Sequence, residues 1–432
     1  MSRKTIAAAF ILILLPLSLG WAEPSLPTQD RVLLEKIEKD SVQFFVRHSN
    51  RETGLTQDSS RPGSPASIAA TGFALASLTI AESRGWISRQ QAYEQIHRTL
   101  LTLRNRAQHE RGFFYHFLDP KSGRRVWGSE ASSIDTALLL AGALLAGEHF
   151  KGTEISRLAQ QLYERVDWQW MMNGSELVCH GWKPESGFLP YYWDSYNELI
   201  ILQALAVGSP THPIPPEAWQ AWNRLEDEYN GKRIVYSYSG SLFTYQFAQA
   251  FIDFRNLWDR DINYFENSKN ASLANREYSL SFRDRYTSYS ENSWGLSACI
   301  GPGGYRAYGG KPGQGIQDGT IAPYASIGSL VFTPEISLPA IKFFYSEYQS
   351  SLYGPMGFKD SFNLDKKWWA WEYLGIDQGI SVMMLENFLS GGSVWEKFMR
   401  IPAIQKWVSL CGLKRSIPSE ETSSQAVPRS PQ

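Results

Sequence analysis

Asp135, Asp194, Glu198, Glu335 and Asp377 each stand at or near the start of a segment with helical character. Carboxyl groups in that position have two uses. They can cap the helix: Ser195-x-x-Glu198 and, more weakly, Ser132-x-x-Asp135 have capping-box spacing. Asp377 before Gly379 reads as an N-cap, and Glu335 after Thr333-Pro334 fits a helix start. They can also do acid–base work. Breaking a glycosidic bond takes two carboxyl groups that flank it, one protonated and one ionised as base or nucleophile. The two uses conflict, because a helix N-terminus favours the ionised form whereas a general acid needs a raised pKa. Around Glu198 the sequence supplies groups that would act against the dipole. Tyr191, Tyr192 and Trp193 can exclude water, and Asp194 can repel a second charge.

The surroundings suit a sugar. The chain holds 16 Trp, 21 Tyr and 22 Phe. Many lie in loop-like stretches such as HGWKPESGFLPYYWDSYNE (180–198), where aromatic faces with polar edges match a ring with apolar faces and a hydroxyl rim. Other chemistries find little support. A net charge of -1 gives no basic excess to neutralise nucleic-acid phosphates. Cys179, Cys299 and Cys411 have neither metal-ligand spacing nor the pairing of a disulfide framework. The Gly-rich segment GPGGYRAYGGKPGQG (301–315) lacks the lysine–hydroxyl ending of a phosphate loop. Its Tyr305 and Tyr308 suit a cover over a cleft. GSPTHPIPP (208–216) is a helix stop, with His212 available to a sugar hydroxyl. No metal and no organic cofactor is expected.

Two kinds of helical segment alternate and would position these groups. Residues 31–47, 89–105 and 154–167 carry one apolar stripe among charges. Residues 66–82, 133–147 and 195–207 are apolar nearly all round and must be buried on every side. The alternation continues with 216–227 (outer) and 243–256 (inner), then with helices at 268–280, 334–349, 378–390 and 394–400, about twelve in all. The expected fold is all-α: an (α/α)6 toroid, with exposed helices around buried ones. Inner helices then run in one direction, and the starts that carry Asp135, Asp194, Glu198 and Asp377 meet at one mouth. A short strand pair is expected within 112–127, turning at Asp119–Gly123, with long aromatic loops beside it.

Arg3 and Lys4 followed by the apolar run from Ile6 to Leu19 and by Gly20-Trp21-Ala22 read as a signal peptide cleaved after Ala22. The mature chain, residues 23–415 as one domain with a disordered polar tail at 416–432, would be a monomer in the periplasm or outside medium, with no stable membrane insertion.

Long blocks of the chain also resemble a known family: SIDTALLLAGAL, YYWDSYNELIILQALAVGSPTHPIP, LFTYQFAQAFIDFRN, NSWGLSACIGPGGYRAYG, GTIAPYASIGSLVFTPE, YGPMGFKDSFN and YLGIDQGISVMMLENFLSG. They span roughly 130–400 and are similar to the glucoamylase-like (glycoamylase) family. That family includes bacterial endo-β-1,2-glucanases (glycoside hydrolase family 144) and the glycan-processing region of cyclic β-1,2-glucan synthases. The resemblance implies an (α/α)6 barrel and hydrolysis of a β-linked glucan, endo-acting. It implies Glu198 as general acid and Asp377 as partner base. Asp135, Trp193, Asp194, His212, Gln246, Arg255, Trp294, Tyr305 and Tyr324 would contact the glucan. The family usually has an acidic residue before Gly-Pro where this chain has Ile300. On the same fold, a transglycosylase or lyase, or a glycan-binding protein without turnover, are the alternative readings.

Overall fold

The computed structural model describes residues 26–415. The segment read as a signal peptide and the polar tail from residue 416 lie outside the described residues.

Six helices form an inner ring: α2 (Ile68–Ser83), α4 (Ser133–His149), α7 (Leu199–Gly208), α9 (Phe243–Phe251), α11 (Pro323–Gly328) and α13 (Gly375–Leu389). Each packs on the next and α13 returns to α2, so the ring closes. Behind them lie α1 (Thr28–His48), α3 (Arg89–Asn105), α5 (Glu154–Glu164), α10 (Tyr264–Leu280), α12 (Pro334–Leu352) and α15 (Pro402–Leu410). Two single turns, α6 (Trp168–Met171) and α8 (Ala218–Ala221), sit in connections, and α14 (Ser393–Met399) packs on α4, α9 and α13. This is the (α/α)6 toroid read from the alternation of apolar patterns. Fourteen successive residues of α2, Ile68 to Ala81, are buried, whereas α3 buries a single stripe through Ala92, Ile96, Leu100 and Leu103.

Inner helices approach closely where side chains vanish. A Cβ on Gly142 of α4 would lie 2.0 Å from the Gly72 carbonyl oxygen of α2. Backbone contact of that kind draws the first ring pair together and carries their N-termini to the same rim. Ser67 and Ser132 cap these two helices through their side-chain oxygens, each accepting the N–H three residues on.

The sequence reading needs correction at several elements. Residues 216–227 do not form an outer helix. After the one turn of α8 they enter a hairpin, Glu226–Tyr229 against Lys232–Val235, which turns at Asn230-Gly231 with both residues left-handed. Trp219 and Trp222 are buried all the same, packed with Tyr264 and Arg224. The outer place behind α7 goes to α15 from the far end of the chain, where Ala403 O comes within 2.2 Å of a Cβ placed on Gly208. Neither α15 nor the six-residue α11 was anticipated. The turn at Asp119–Gly123 is present, but the flanking segments meet only at Leu118 and Arg125, and Phe117–Leu118 pairs instead with Ala66–Ser67. Within 301–315, the first residues form a hairpin with Ala298–Gly301, and Tyr308 turns into the core.

Gly142→Ala tests the closeness of the ring. Overpacking at backbone contact is expected to cost roughly 1–3 kcal/mol or more, read as a lower midpoint in urea unfolding. A change within error would show that α2 and α4 can part without penalty.

Candidate active site

The N-terminal ends of the inner helices share one mouth, and three of the expected carboxyls are there. Glu198 is the N-cap residue of α7 but makes no capping bond, so the Ser195–Glu198 box does not form. Asn197 Oδ1 accepts the Leu199 N–H instead. The Glu198 carboxyl is left without a capping bond. Burial raises the Glu198 carboxyl to about 7; a backbone N–H opposes the rise and the nearby Asp135 charge adds to it. Desolvation therefore overrides the helix dipole here. Asp135, at the third position of α4, receives the Ser132 hydroxyl at 2.5 Å. Trp193 stacks on His180 at 3.9 Å between centroids and donates its Nε1–H to Ser133 Oγ at 2.9 Å. Asp194, half-buried, is fixed through its carbonyl, which accepts the Asn223 N–H.

Next to Asp135 lies a group the sequence reading missed. His116 Nδ1 is 3.1 Å from Glu130 Oε1 and 3.5 Å from Asp135 Oδ2, and its ring stacks on Phe117 at 4.0 Å. Burial disfavours the imidazolium, but Asp135, Glu130 and Asp58 together raise His116 to about 9. The ligand atoms of His116, Glu130 and Asp135 lie within 4.8 Å of one another, close enough for a metal ion. At neutral pH, however, the imidazolium is itself the cation among these carboxylates, and a protonated ring nitrogen cannot ligate. Asp58 completes the group, pushed up to about 6 by burial against the pull of His116.

Across the mouth Asp377 is not an N-cap; Leu374 holds that place and Asp377 occupies the third position of α13, almost wholly buried. Its carboxyl faces that of Asp360, also buried, close enough to share a hydrogen bond. Without a proton between them, both Asp377 oxygens and Asp360 Oδ1 lack a partner. Asp360 Oδ2 accepts the Ile300 N–H at 2.6 Å, which favours its ionised form. Burial nonetheless raises Asp360 to about 6, and burial together with the facing Asp360 carboxyl raises Asp377 well above the usual carboxylate range. The two carboxyls therefore titrate as a unit, and the pair holds a proton more strongly than an isolated carboxyl does.

Tyr305 and Tyr324 flank the pair. Tyr324 is buried, with its hydroxyl 2.8 Å from both Ser297 Oγ and Ala298 O. Tyr305, opposite Ile300 in the hairpin, is half-exposed on a cavity of about 500 Å³ that Asp58, His116, Ile300 and Ile376 also line.

Other expected contacts lie elsewhere. Gln246 is buried and donates to Ala325 O and Ser329 Oγ, tying α9 to α11. Trp294 is wholly enclosed. Arg255 pairs with Asp253 and lies over Trp395, past the C-terminal end of α9. His212 is exposed beyond the C-terminal end of α7. Glu335 is exposed at the start of the outer helix α12. Of the groups missed, Asp360 lay in plain view in the block GFKDSFN. Asp58, His116 and Glu130 come from connections without periodicity.

A closed helical toroid whose mouth sets a protonated carboxyl beside ionisable ones has the arrangement of a glycoside hydrolase. The chain belongs to the glycoamylase family: residues 190–402 match the family described as "Putative glucoamylase". The structure of a "putative glucoamylase" from Bacteroides uniformis is 30% identical, covers 91% of this chain and 99% of its own, and superposes with a TM-score of 0.85. An endo-β-1,2-glucanase from Chitinophaga pinensis, solved with sophorotriose and glucose, is 27% identical over 89% of this chain and 98% of its own, with a TM-score of 0.84. An exo β-1,2-glucooligosaccharide sophorohydrolase from Parabacteroides distasonis is 26% identical over 88% of this chain, which spans only 58% of that protein.

The raised Glu198 pKa has a consequence for stability. A carboxyl raised in the folded state stabilises the fold fully below its unfolded pKa, and that contribution is lost as pH rises through about 7. Glu198→Gln, which never ionises, is expected to melt above the wild type at pH 8 and close to it at pH 5. Equal melting-temperature differences at the two pH values would show that Glu198 is not desolvated.

Proposed function

We propose that this protein hydrolyses a β-1,2-linked glucan, with Glu198 as general acid and Asp377 as the base. The observation that carries the reading is the Glu198 carboxyl, left without a capping partner and raised to about 7 at a mouth that also holds a coupled carboxyl pair. Glu198 delivers its proton to the glycosidic oxygen. The Asp360–Asp377 pair takes the proton of the attacking water, directly or through a substrate hydroxyl, once it carries a negative charge. The linkage is supported by the relatives named for β-1,2-glucan. Endo action is supported by the near end-to-end match to the endo enzyme. The basic and apolar start of the sequence supports export, with the substrate met in the periplasm or outside medium. Among the described residues no helix is long and apolar enough to cross a membrane.

The test is a reducing-sugar assay of residues 23–432 on glucans of defined linkage. Linear β-1,2-glucan is the expected substrate, and oligosaccharides of mixed length rather than one disaccharide are the expected first products. Glu198→Gln and Asp377→Asn should each lower kcat by about 10²–10⁴-fold. The pH profile of kcat/KM should be a bell. Its acid limb lies near 6, where the carboxyl pair takes up a proton, and its alkaline limb near 7, where Glu198 loses its own. Folded protein that turns over no glucan, or a Glu198→Gln variant of full activity, would overturn the proposal.

A further inference from the structure

The turn at Val126–Ser129 is built against the preferences of its residues. The Ser129 N–H donates to Val126 O, and both central residues are left-handed, Trp127 at φ 57° and Gly128 at φ 59°. Turns with two positive φ angles favour Asn, Asp or Gly at the first central place. A bulky side chain there costs stability. The fold gains little packing in exchange, because Trp127 is 71% exposed, the most exposed of the large hydrophobic side chains among the described residues. The turn is nonetheless held firmly. The Val126 N–H donates to Phe117 O, and Arg125 donates to Ser129 O at 2.5 Å while its guanidinium pairs with Glu185.

What the strained turn achieves is the position of the indole. Trp127 packs on Phe117 at 5.1 Å, and Phe117 stacks on His116 at 4.0 Å, so three rings run outward from the charged cluster of the mouth. Trp127 and Phe117 line the cavity of about 500 Å³ that reaches Tyr305, Ile300 and Leu374. One wall is thus aromatic and another aliphatic, while Asp58, Arg61 and Glu372 supply hydrogen-bonding groups around them. Apolar walls with a few convergent polar groups make a binding site, and here the walls match the faces of a sugar ring.

We propose that Trp127 is the platform of a sugar-binding subsite on the Asp58 side of the mouth, where it holds a glucosyl unit remote from the scissile bond and makes affinity depend on chain length. The inference rests on the proposed reading of the mouth as a glycan site. Backbone strain kept for an exposed side chain that faces a cavity points to function rather than to folding.

Trp127→Asn separates the two roles, because Asn suits the left-handed turn but presents no stacking face. The variant is expected to melt at or above the wild-type temperature. Its KM on β-1,2-gluco-oligosaccharides long enough to reach the subsite should rise about tenfold, with a smaller change on the shortest oligosaccharide cleaved; a stacked ring contributes on that scale. Titration of Glu198→Gln with the same oligosaccharides should quench tryptophan fluorescence, and adding Trp127→Asn should remove the quench and weaken binding. Equal KM values across chain lengths for wild type and Trp127→Asn, or equal binding with and without Trp127, would overturn the subsite and leave the hydrolase reading intact. Oligosaccharide binding that depends on Trp127, in a wild type that turns over no glucan, would uphold the subsite and overturn hydrolysis.

Discussion

Two electrostatic demands meet at the mouth of this toroid. Parallel inner helices bring their positive ends to one rim, and positive ends stabilise carboxylates. The same ring is apolar nearly all round and removes water from whatever stands at its rim, which destabilises carboxylates. The balance is struck residue by residue. Asp135 keeps local partners, the Ser132 hydroxyl and the His116 ring. Glu198 has no side-chain cap, and Asp377 has only another carboxyl. Burial raises both of the last two.

That division explains how one rim can carry both an acid and a base. His116 neutralises part of the charge at Asp135, Glu130 and Asp58, so the centre of the mouth does not repel every other carboxyl equally. Glu198, on α7, remains within the influence of Asp135, while Asp377, on α13, couples to Asp360. Each reactive carboxyl is perturbed by a different neighbour, which lets the two titrate separately. Closing the ring is the mechanical condition for this. Gly72 and Gly142 let the backbones of α2 and α4 touch, and α15 fills the space behind α7.

The toroid was legible in the sequence because burial on all sides leaves a mark that burial on one side does not. The contrast between SIAATGFALASLTIA and the striped helix at 89–105 assigns inner and outer places without any contact map. Asp135, Glu198 and Asp377 were legible for the related reason that inner-helix starts must converge. Their local geometry was not. A capping box at Ser195 and an N-cap at Asp377 satisfy the same spacing rules as the conformations that form, and tertiary packing decides between them. Gln246, Arg255, His212 and Trp294 came from likeness of blocks. Such likeness identifies a similar stretch of chain but not which end of a helix faces the cleft. Asp58, His116 and Glu130 could not have been found by period, since they stand in connections. The Asn230-Gly231 hairpin, by contrast, carried a turn signal that a helical reading of Trp219 and Trp222 obscured.

Ile300 shows how far a departure from the family pattern can reach. The backbone of this residue anchors the reactive pair: its N–H binds Asp360 Oδ2 and its carbonyl accepts the Ser361 hydroxyl. Those bonds do not depend on the side chain, so loss of an acidic residue here leaves the anchor in place. What changes is the charge of the cavity wall. A carboxylate at position 300 would stand beside the cavity that Asp58 lines and next to the Asp360 anchor, and would disfavour ionisation of the base still further. With isoleucine the wall is apolar and continuous with Leu374 and Ile376. This chain therefore keeps the groups that would move protons and alters the surface against which a sugar would lie.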